Sequence, residues 1–271
     1  MNANRELWEK GDFTRIAATV RASGDALVDS LGIERGMEML DLGCGDGTTA
    51  LPAAERGANV LGVDIAANLI AAAKARAAEA GLQNVSFQQG DATELVDLAD
   101  EGFDLTLSAF GAMFAPRPYD VAKEMVRVTR PGGRIVMANW IPGDPTLVAQ
   151  ILRIASDYSP PPPDGFVSPM TWGVEDEVID RFGAAGIAAD RIGFERASWN
   201  FDFDGTPEDL VEIFRDYYGP TINAFAAAGS NGHEAQLRAE LDALFAAQNR
   251  AAEGTEIAAT FLLVNATRSN P

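Results

Sequence analysis

The chain has 271 residues, 47% of them hydrophobic, and a mean hydropathy of -0.04, which is typical of a globular protein large enough to bury one sizeable core. The formal net charge of -19, from 40 acidic and 21 basic residues, argues against a nucleic-acid substrate, because basic side chains would have to neutralise its phosphates. One cysteine and one histidine exclude an internal disulfide and a cysteine- or histidine-rich metal site, so we expect no metal.

The sequence also bears on location and partners. It contains no apolar run as long as a membrane span, and Met1 to Leu7 lack the apolar core of a signal peptide. We therefore expect a cytoplasmic protein whose partner is a small molecule, not a membrane or a nucleic acid. A monomer and a homodimer both stay open, because no coiled-coil seam is visible.

The first half of the chain alternates predicted strands and helices. Residues 12–31 carry apolar side chains at helical spacing, ahead of this alternation. Strands are then predicted near 37–42, 58–63, 84–89, 103–108 and 133–140, and helices near 47–56, 66–80 and 118–130. Such alternation predicts a doubly wound, parallel sheet with helices on both faces and a ligand at the carboxyl ends of the strands.

A glycine-rich turn follows the first predicted strand, with the spacing Asp-x-Gly-x-Gly-x-Gly from Asp41 to Gly47. Glycine at these positions allows a positive φ or the close approach of a ligand. The spacing differs from that of dinucleotide binders, and carboxylates at Asp41 and Asp46 would repel a pyrophosphate. Asp64 ends the second strand, where an acid suits the hydroxyls of a ribose. The pattern indicates a nucleoside that carries a positive charge.

Residues 36–140 resemble the class I S-adenosylmethionine-dependent methyltransferases. Four segments carry the resemblance, in the order that the family has them: 40–47, Asp64, 90–92 and 130–138. The resemblance implies S-adenosylmethionine as cofactor and a seven-stranded, mostly parallel sheet with an antiparallel last strand. The cofactor contacts that it implies are Asp41, Gly43, Cys44, Gly45, Gly47, Asp64, Ile65, Asp91, Ala92, Ser108 and Phe110, with Cys44 a packing residue against the cofactor and not a nucleophile.

The alternation breaks after Trp140. Helices are predicted near 145–156 and 174–185, on either side of a proline run, and a strand lies within 187–203. Residues 204–253 interrupt the expected pairing of the last two strands, with helices near 206–218 and 233–250, and 255–266 is the seventh strand. We divide the chain into an N-terminal helical lid segment (1–35), a cofactor-binding core (36–140), a substrate-side insertion with the remaining core helix and strand (141–203), a helical cap (204–253) and a final core strand (254–271).

Two further resemblances concern the acceptor. The segment from Trp8 to Phe13 resembles the lid of the UbiE-like small-molecule methyltransferases, which implies that Trp8 and Phe13 cover the cofactor. A weaker resemblance, to toxoflavin-type heterocycle methyltransferases, rests on 8–16, 110–114 and 217–220. The Asn/Asp-Pro-Pro-aromatic motif of nucleic-acid amino-methyltransferases is missing after strand four. Apolar and aromatic side chains there suit a flat acceptor, with candidate contacts at Met113, Phe114, Trp140, Tyr217 and Tyr218.

Methyl transfer is an in-line displacement that depends mainly on geometry and the exclusion of water. No catalytic residue is identified; His233 and Tyr218 are candidates for a base, although the sequence around His233 is typical of a turn between helices. The interpretation is a methyltransferase acting on a small, flat aromatic or heterocyclic acceptor in a lidded pocket. The alternatives are a quinone- or polyketide-type C- or O-methyltransferase, an NAD(P)-dependent oxidoreductase of similar fold, and a non-catalytic cofactor-binding protein.

Overall fold

The computed structural model describes residues 3–270, which form one seven-stranded sheet with helices on both faces. The strand order is β3-β2-β1-β4-β5-β7-β6. The first five strands pair in parallel, whereas β7 runs antiparallel to both of its neighbours. The predicted fold class is therefore confirmed. The strands are β1 (Glu38–Leu42), β2 (Asn59–Asp64), β3 (Val85–Gln89), β4 (Phe103–Ala109), β5 (Thr129–Trp140), β6 (Ile192–Phe203) and β7 (Thr255–Thr267).

Eleven α-helices lie within the described residues. Those that connect the parallel strands follow the predicted alternation closely. No helix in residues 3–270 is both long and apolar enough to cross a lipid bilayer. The helices are α1 (Ala3–Glu9), α2 (Thr14–Ala18), α3 (Arg21–Ser30), α4 (Ala50–Glu55), α5 (Ala67–Glu79), α6 (Pro118–Val128), α7 (Leu147–Tyr158), α8 (Glu175–Ala184), α9 (Pro207–Tyr217), α10 (Gly219–Ser230) and α11 (Glu234–Gln248).

The strand order places the ligand site. The chain moves outward in one direction from β1 to β3 and in the other from β4 to β5. Right-handed crossovers then put α4 and α5 on one face of the sheet and α6 on the other. Between β1 and β4 the direction reverses, which leaves a crevice at the carboxyl ends of these strands. The glycine turn after β1 and residues 110–114 after β4 border this crevice.

The sheet is held by a continuous apolar core. Met39 and Leu40 of β1 are fully buried, as are Leu105 and Leu107 of the neighbouring β4. Helices cover both faces of the sheet, so that even the polar residues that alternate with the leucines of β4, Thr106 and Ser108, are buried. The sheet is a rigid support for the loops at its carboxyl edge.

The helical segment 204–253 differs from its prediction in one respect. Helix α9 begins as expected, with a capping box in which Thr206 and Asp209 each bond the other's backbone N–H and with Pro207 in the first turn. A helix between the two predicted ones, α10, was not foreseen. Its Gly219-Pro220 start is typical of a chain break, yet proline fits the first turn of a helix, and an alanine-rich sequence continues it.

Candidate active site

The glycine turn after β1 combines left-handed backbone with close packing. Gly43 has a φ of 76°, and a Cβ added there would lie 2.6 Å from the Cα of Gly111, so the loops after β1 and β4 meet backbone to backbone. Gly45 has a φ of 55°, but the space above it is open, with no other atom within 4 Å of an added Cβ. The turn therefore has one packed side and one side that a ligand can approach.

Asp64, at the end of β2, holds this turn in place. Its carboxylate accepts hydrogen bonds from the backbone N–H groups of Gly45 and Ala66, both at 2.9 Å. Burial raises the pKa of the Asp64 carboxyl, and the backbone hydrogen bonds oppose that effect. Because Asp64 also lines the adjacent cavity, it joins the glycine turn to any ligand bound there.

Asp41 lies behind the turn and does not line the cavity. One carboxylate oxygen accepts a hydrogen bond of 2.6 Å from the Thr49 hydroxyl, and the other has no partner among the described residues. Burial raises the pKa of Asp41 to about 7, with a smaller contribution from the negative charge of Asp64. Asp41 is thus a buried carboxyl whose ordinary charge is poorly compensated.

Asp46 is fully paired, although it is only 1% exposed. Its carboxylate forms ion pairs with Arg21 of α3 at 2.8 Å and with Arg76 of α5 at 3.1 Å. Arg76 also donates to the backbone carbonyl of Asp46 at 2.7 Å. These contacts fasten the glycine turn to two helices and leave no free carboxylate at this position.

A single elongated cavity extends from the glycine turn into the space beneath α1 and α9. It contains about 1160 Å³, including its open mouth. The end at the turn is polar, with Asp46, Thr48 and Asp64 in its wall. The rest of the lining is mostly apolar, and we call it the aromatic end after its nine aromatic side chains, Trp8, Phe13, Phe110, Phe114, Trp140, Trp199, Phe201, Phe214 and Tyr218.

Phe110 forms the centre of the aromatic end. Its ring stacks on Trp140 with centroids 3.8 Å apart, and Trp199 meets it edge-on at 4.8 Å. Its φ of 62° is unusual for a bulky side chain. Backbone strain of this kind concentrates at functional sites, where the surrounding packing maintains it.

Tyr218 contributes a hydroxyl to the aromatic end. Its ring lies among those of Trp8, Phe13 and Phe214, with centroids 5.5 to 6.2 Å away. Burial alone raises the pKa of Tyr218 well above its ordinary value, and no charged group contributes to the shift. The hydroxyl therefore stays protonated at neutral pH and can donate a hydrogen bond.

Two segments distant in the sequence both contribute to the cavity wall, and they pack closely against each other. A Cβ on Gly219 would lie 2.5 Å from the carbonyl oxygen of Leu7, and one on Gly11 would lie 2.5 Å from that of Tyr217. Glu9 accepts a hydrogen bond of 3.0 Å from the first N–H of α5, at Ala67. The N-terminal segment is thus fixed to both the helical cap and the core.

The structure brings most of the predicted site residues to one cavity. Those that line it come from β1, β2, β4, β5 and the two covering segments, so chain regions far apart in sequence converge as expected. They are Trp8, Phe13, Gly43, Cys44, Gly45, Asp64, Ile65, Ala92, Phe110, Phe114, Trp140 and Tyr218.

Four predicted cofactor residues lie outside the lining. Asp41 is buried behind the turn, and Gly47 packs against Leu51. Asp91 accepts hydrogen bonds from the backbone and hydroxyl of Thr93. Ser108 is buried and accepts a hydrogen bond from the N–H of Ala112. The side chains of Asp41, Asp91 and Ser108 thus hold loops at the carboxyl edge of the sheet.

Three predicted acceptor-side residues also lie away from the cavity. Met113 is buried in the core. Tyr217, the last residue of α9, does not line the cavity, and Arg15 lies over its ring at 5.8 Å. His233 is exposed and immediately precedes α11, in agreement with the predicted turn between helices. Neither Tyr217 nor His233 can contact a ligand in the cavity as it stands.

Sequence analysis missed the part of the wall that comes from β6 and α9. Trp199, Phe201 and Phe214 line the cavity, but they lie far along the chain from the glycine turn. Trp199 and Phe201 are two residues apart on a strand, so their side chains share one face. That spacing predicts a shared face. It does not predict that the face lies at the cavity, because this depends on the pairing of β6 with β7, a strand far along the chain.

Comparisons with known proteins agree with this arrangement. Residues 40–137 match the family described as a methyltransferase domain. A Mycobacterium tuberculosis protein, described as uncharacterised, is 37% identical over 246 residues, 89% of this chain and 86% of that protein. The demethylmenaquinone methyltransferase of Paenarthrobacter aurescens is 35% identical over 114 residues, 42% of this chain and 43% of that enzyme.

The likeness extends to solved structures. Phosphoethanolamine N-methyltransferase 2 of Haemonchus contortus, solved with S-adenosyl-L-methionine, superposes with a TM-score of 0.59 and 20% identity. The match covers 92% of this chain and 53% of that protein. At that level of identity it is a likeness of fold.

Proposed function

This chain belongs to the class I S-adenosylmethionine-dependent methyltransferases, and from that premise we propose that it methylates a small, flat aromatic or heterocyclic acceptor in a pocket closed by helices. The methyl donor is S-adenosylmethionine. The family assignment decides against the nicotinamide-dependent oxidoreductase and against a protein without catalysis. The observation that carries the proposal is the cavity with one acidic end and one aromatic end.

The acidic end fits the donor. The open side of Gly45 gives a ligand access to backbone, and Asp64 offers carboxylate oxygens suited to ribose hydroxyls. The described lining contains no lysine or arginine, which accords with a ligand that has no phosphate and carries a positive charge. When bound, the donor supplies a sulfonium-activated methyl group.

The aromatic end suits the acceptor. Phe110 and Trp140 offer ring faces and edges, with Phe114 beside them, and flat rings pack well against such surfaces. Within residues 3–270 the only charged side chains in the lining, Asp46 and Asp64, belong to the other end. An uncharged or weakly polar ring is therefore favoured over a phosphorylated or multiply charged acceptor.

The helices above the cavity support the closed pocket in this proposal. Trp8 contacts Phe114 and Tyr218, so α1, the loop after β4 and the end of α9 meet over the aromatic end. Closure of this kind excludes water from a displacement reaction and aligns the acceptor with the methyl group. Opening would require α1 to separate from the N-terminus of α5, where Glu9 binds the N–H of Ala67.

A quinol-type acceptor is the second candidate. The name of the Paenarthrobacter relative gives it demethylmenaquinone as substrate, and a quinol ring is flat and apolar. Its methylation on carbon would use the same cavity. The two candidates therefore differ in the acceptor atom and not in the site.

The test has a binding stage and a turnover stage. Calorimetric titration should give micromolar binding of S-adenosylmethionine and S-adenosylhomocysteine and none of NADH. Mass spectrometry of reactions with flat heterocycles, phenols and quinols should then show a product one methylene heavier. Transfer only to bulky, charged acceptors, with none to flat rings, would contradict the proposal.

A further inference from the structure

We propose that the acceptor enters the aromatic end as its own anion, formed by loss of a proton to solvent, and that the hydroxyl of Tyr218 donates a hydrogen bond to it. This inference rests on the proposed function and specifies it further. The acceptor would be a phenol, an enol or a heterocyclic N–H that ionises near neutral pH. The protein would then need no general base.

The cavity wall is poor in groups that could act as a base. Among the residues that the structure describes, the lining contains no histidine, lysine or glutamate. Its two carboxylates are already engaged, Asp64 by two backbone N–H groups and Asp46 by two arginines. Neither belongs to the aromatic end. A proton on the acceptor therefore has no protein base to receive it there.

Tyr218 supplies a hydroxyl group to the cavity wall. Tyr218 is 4% exposed and lines the aromatic end. Three aromatic rings surround it, and desolvation raises the pKa of its hydroxyl with no charged group involved. The neutral hydroxyl keeps its proton and can share it in a hydrogen bond, and hydrogen bonds to charged acceptors are the stronger kind.

The charged groups on the surrounding elements do not alter this. Glu9 of α1 is bound to the N–H of Ala67, and Lys10 to the side chain of Asn223 at 2.5 Å. Asp12 accepts hydrogen bonds from Thr14, and Arg15 lies over the other tyrosine, Tyr217. Each of these four side chains has its partner outside the cavity. Besides the Asn4 side chain and the indole N–H groups, the polar group that the aromatic end offers is the Tyr218 hydroxyl.

The chemistry balances without a protein base. The acceptor gives its proton to water before it enters. Its lone pair forms the new bond to the methyl carbon, while the carbon–sulfur bond breaks and leaves its electron pair on sulfur. An anion and a cation become two neutral products, and an apolar, water-poor site favours such a loss of charge.

The test uses binding and not turnover. A series of nitrophenols serves as probe, because the phenolate absorbs at longer wavelength than the phenol. Each is titrated spectroscopically into the full-length protein saturated with S-adenosylhomocysteine, or with an amine analogue of the donor that keeps a positive charge near the place of the sulfonium. We expect the bound probe to be a phenolate even at a pH below its pKa in solution. The ratio of bound phenolate to bound phenol should be at least tenfold higher with the cationic analogue than with S-adenosylhomocysteine.

The matched variants are Tyr218→Phe and Tyr217→Phe. Each removes one phenolic oxygen, the first from a residue that lines the cavity and the second from a residue that does not. Tyr218→Phe should weaken phenolate binding roughly tenfold or more, as expected for one hydrogen bond to a charged group, and Tyr217→Phe should leave it unchanged. Binding of the neutral phenol in both complexes, or equal effects of the two variants, would overturn the inference.

A kinetic measurement separates this inference from the proposed function. With acceptors of graded acidity, the midpoint of the pH profile of kcat/KM should move with the acceptor's own pKa. A midpoint fixed at one value for every acceptor would reveal a protein base and refute the inference, while flat acceptors would still be methylated. Absence of transfer to any flat acceptor would instead refute the proposed function.

Discussion

Phe110 and Trp140 stack face to face at the wall of the cavity, with ring planes 5° apart and centroids separated by 3.8 Å. Phe261 of β7 meets Phe110 edge-on at 5.3 Å and Trp140 at 6.4 Å. Three strands, β5, β6 and β7, therefore contribute rings to one cluster around Phe110. This wall is attached to the rigid sheet and not to the covering helices.

Replacement of Trp140 by phenylalanine should impair acceptor binding while the donor still binds normally. The variant keeps an apolar ring in the stack but loses the larger indole surface. Since aromatic pairs contribute about 0.5 to 1.5 kcal/mol beyond area burial, we expect the acceptor KM to rise roughly three- to tenfold. Trp172→Phe is the matched control, because Trp172 is buried beside Phe182 and does not line the cavity. A changed donor affinity in Trp140→Phe would contradict this assignment.

Replacement of Asp64 by alanine should weaken donor binding. The variant loses the carboxylate that would bind the ligand and that now accepts a hydrogen bond from the N–H of Gly45. We expect the free energy of donor binding to weaken by about 1 to 3 kcal/mol, which raises Kd roughly ten- to hundredfold. Asp104→Ala is the control, because Asp104 also accepts a backbone N–H, from Glu38 at 2.9 Å, but at the start of β4. Calorimetry that found equal donor affinity in Asp64→Ala and the wild type would remove Asp64 from the site.

Asp41 should make the protein less stable as the pH rises. Its folded pKa of about 7 lies above the ordinary value of 3.8, so the folded state binds the proton more tightly than the unfolded state. Stability is then unaffected below about pH 4 and declines between pH 4 and 7, at up to roughly 1.4 kcal/mol per pH unit. Asp41→Asn keeps an oxygen for Thr49 but cannot ionise.

Chemical denaturation of both proteins at pH 5 and pH 8 measures this effect. Between pH 5 and pH 8, the free energy of unfolding of Asp41→Asn should rise by about 2 to 3 kcal/mol relative to that of the wild type. The comparison of differences cancels the pH dependence of every other group. An identical pH dependence in the two proteins would show that Asp41 keeps its ordinary pKa.

Loss of Arg76 should destabilise the fold more than loss of a surface arginine. Arg76 pairs with Asp46, which is buried, whereas Arg153 and Asp157 form a pair that is mostly exposed. We expect Arg76→Ala to lower the free energy of unfolding by about 2 kcal/mol. This is less than for a fully buried ion pair, because part of the guanidinium contacts water. Arg153→Ala should change stability by less than about 1 kcal/mol. Urea denaturation of the two variants gives the comparison, and equal values would contradict it.

Replacement of His233 by alanine should leave the methylation rate almost unchanged. The imidazole is exposed ahead of α11 and outside the cavity. A rate measured at saturating donor and acceptor should therefore stay within about twofold of the wild type. A loss on the order of a hundredfold, the scale of general-base catalysis, would mean that the chain rearranges to bring His233 to the acceptor.

The geometry of the glycine turn was predictable from the sequence because its signals are local, while the cofactor contacts assigned to it stay a prediction. The glycine turn needs positive φ at Gly43 and Gly45, and an apolar strand that ends in an acid identified Asp64. The spacing within one strand–turn–helix unit fixes these positions almost independently of the rest of the fold. Asp41 and Ser108 also fall at strand ends, but their side chains turn inward to bond Thr49 and the N–H of Ala112.

The aromatic end of the cavity was only partly predictable from the sequence, because its walls depend on tertiary packing. Tyr217 is the last residue of α9, whereas Tyr218 follows it with an extended backbone (φ of -98°), and of the two only Tyr218 lines the cavity. The sequence named both. Trp199 was missed for a related reason: its position follows from the register of β6 against β7, in which it pairs with Ala259.

The position of β7 has a consequence for the order in which the protein can fold during synthesis. β6 pairs only with β7, and β7 is made more than fifty residues later, after the helical cap. Trp199 and Phe201 therefore cannot take their places until the ribosome has released β7. The parallel strands beside the glycine turn can pair early, whereas the wall that contains Trp199 and Phe201 is completed only with β7.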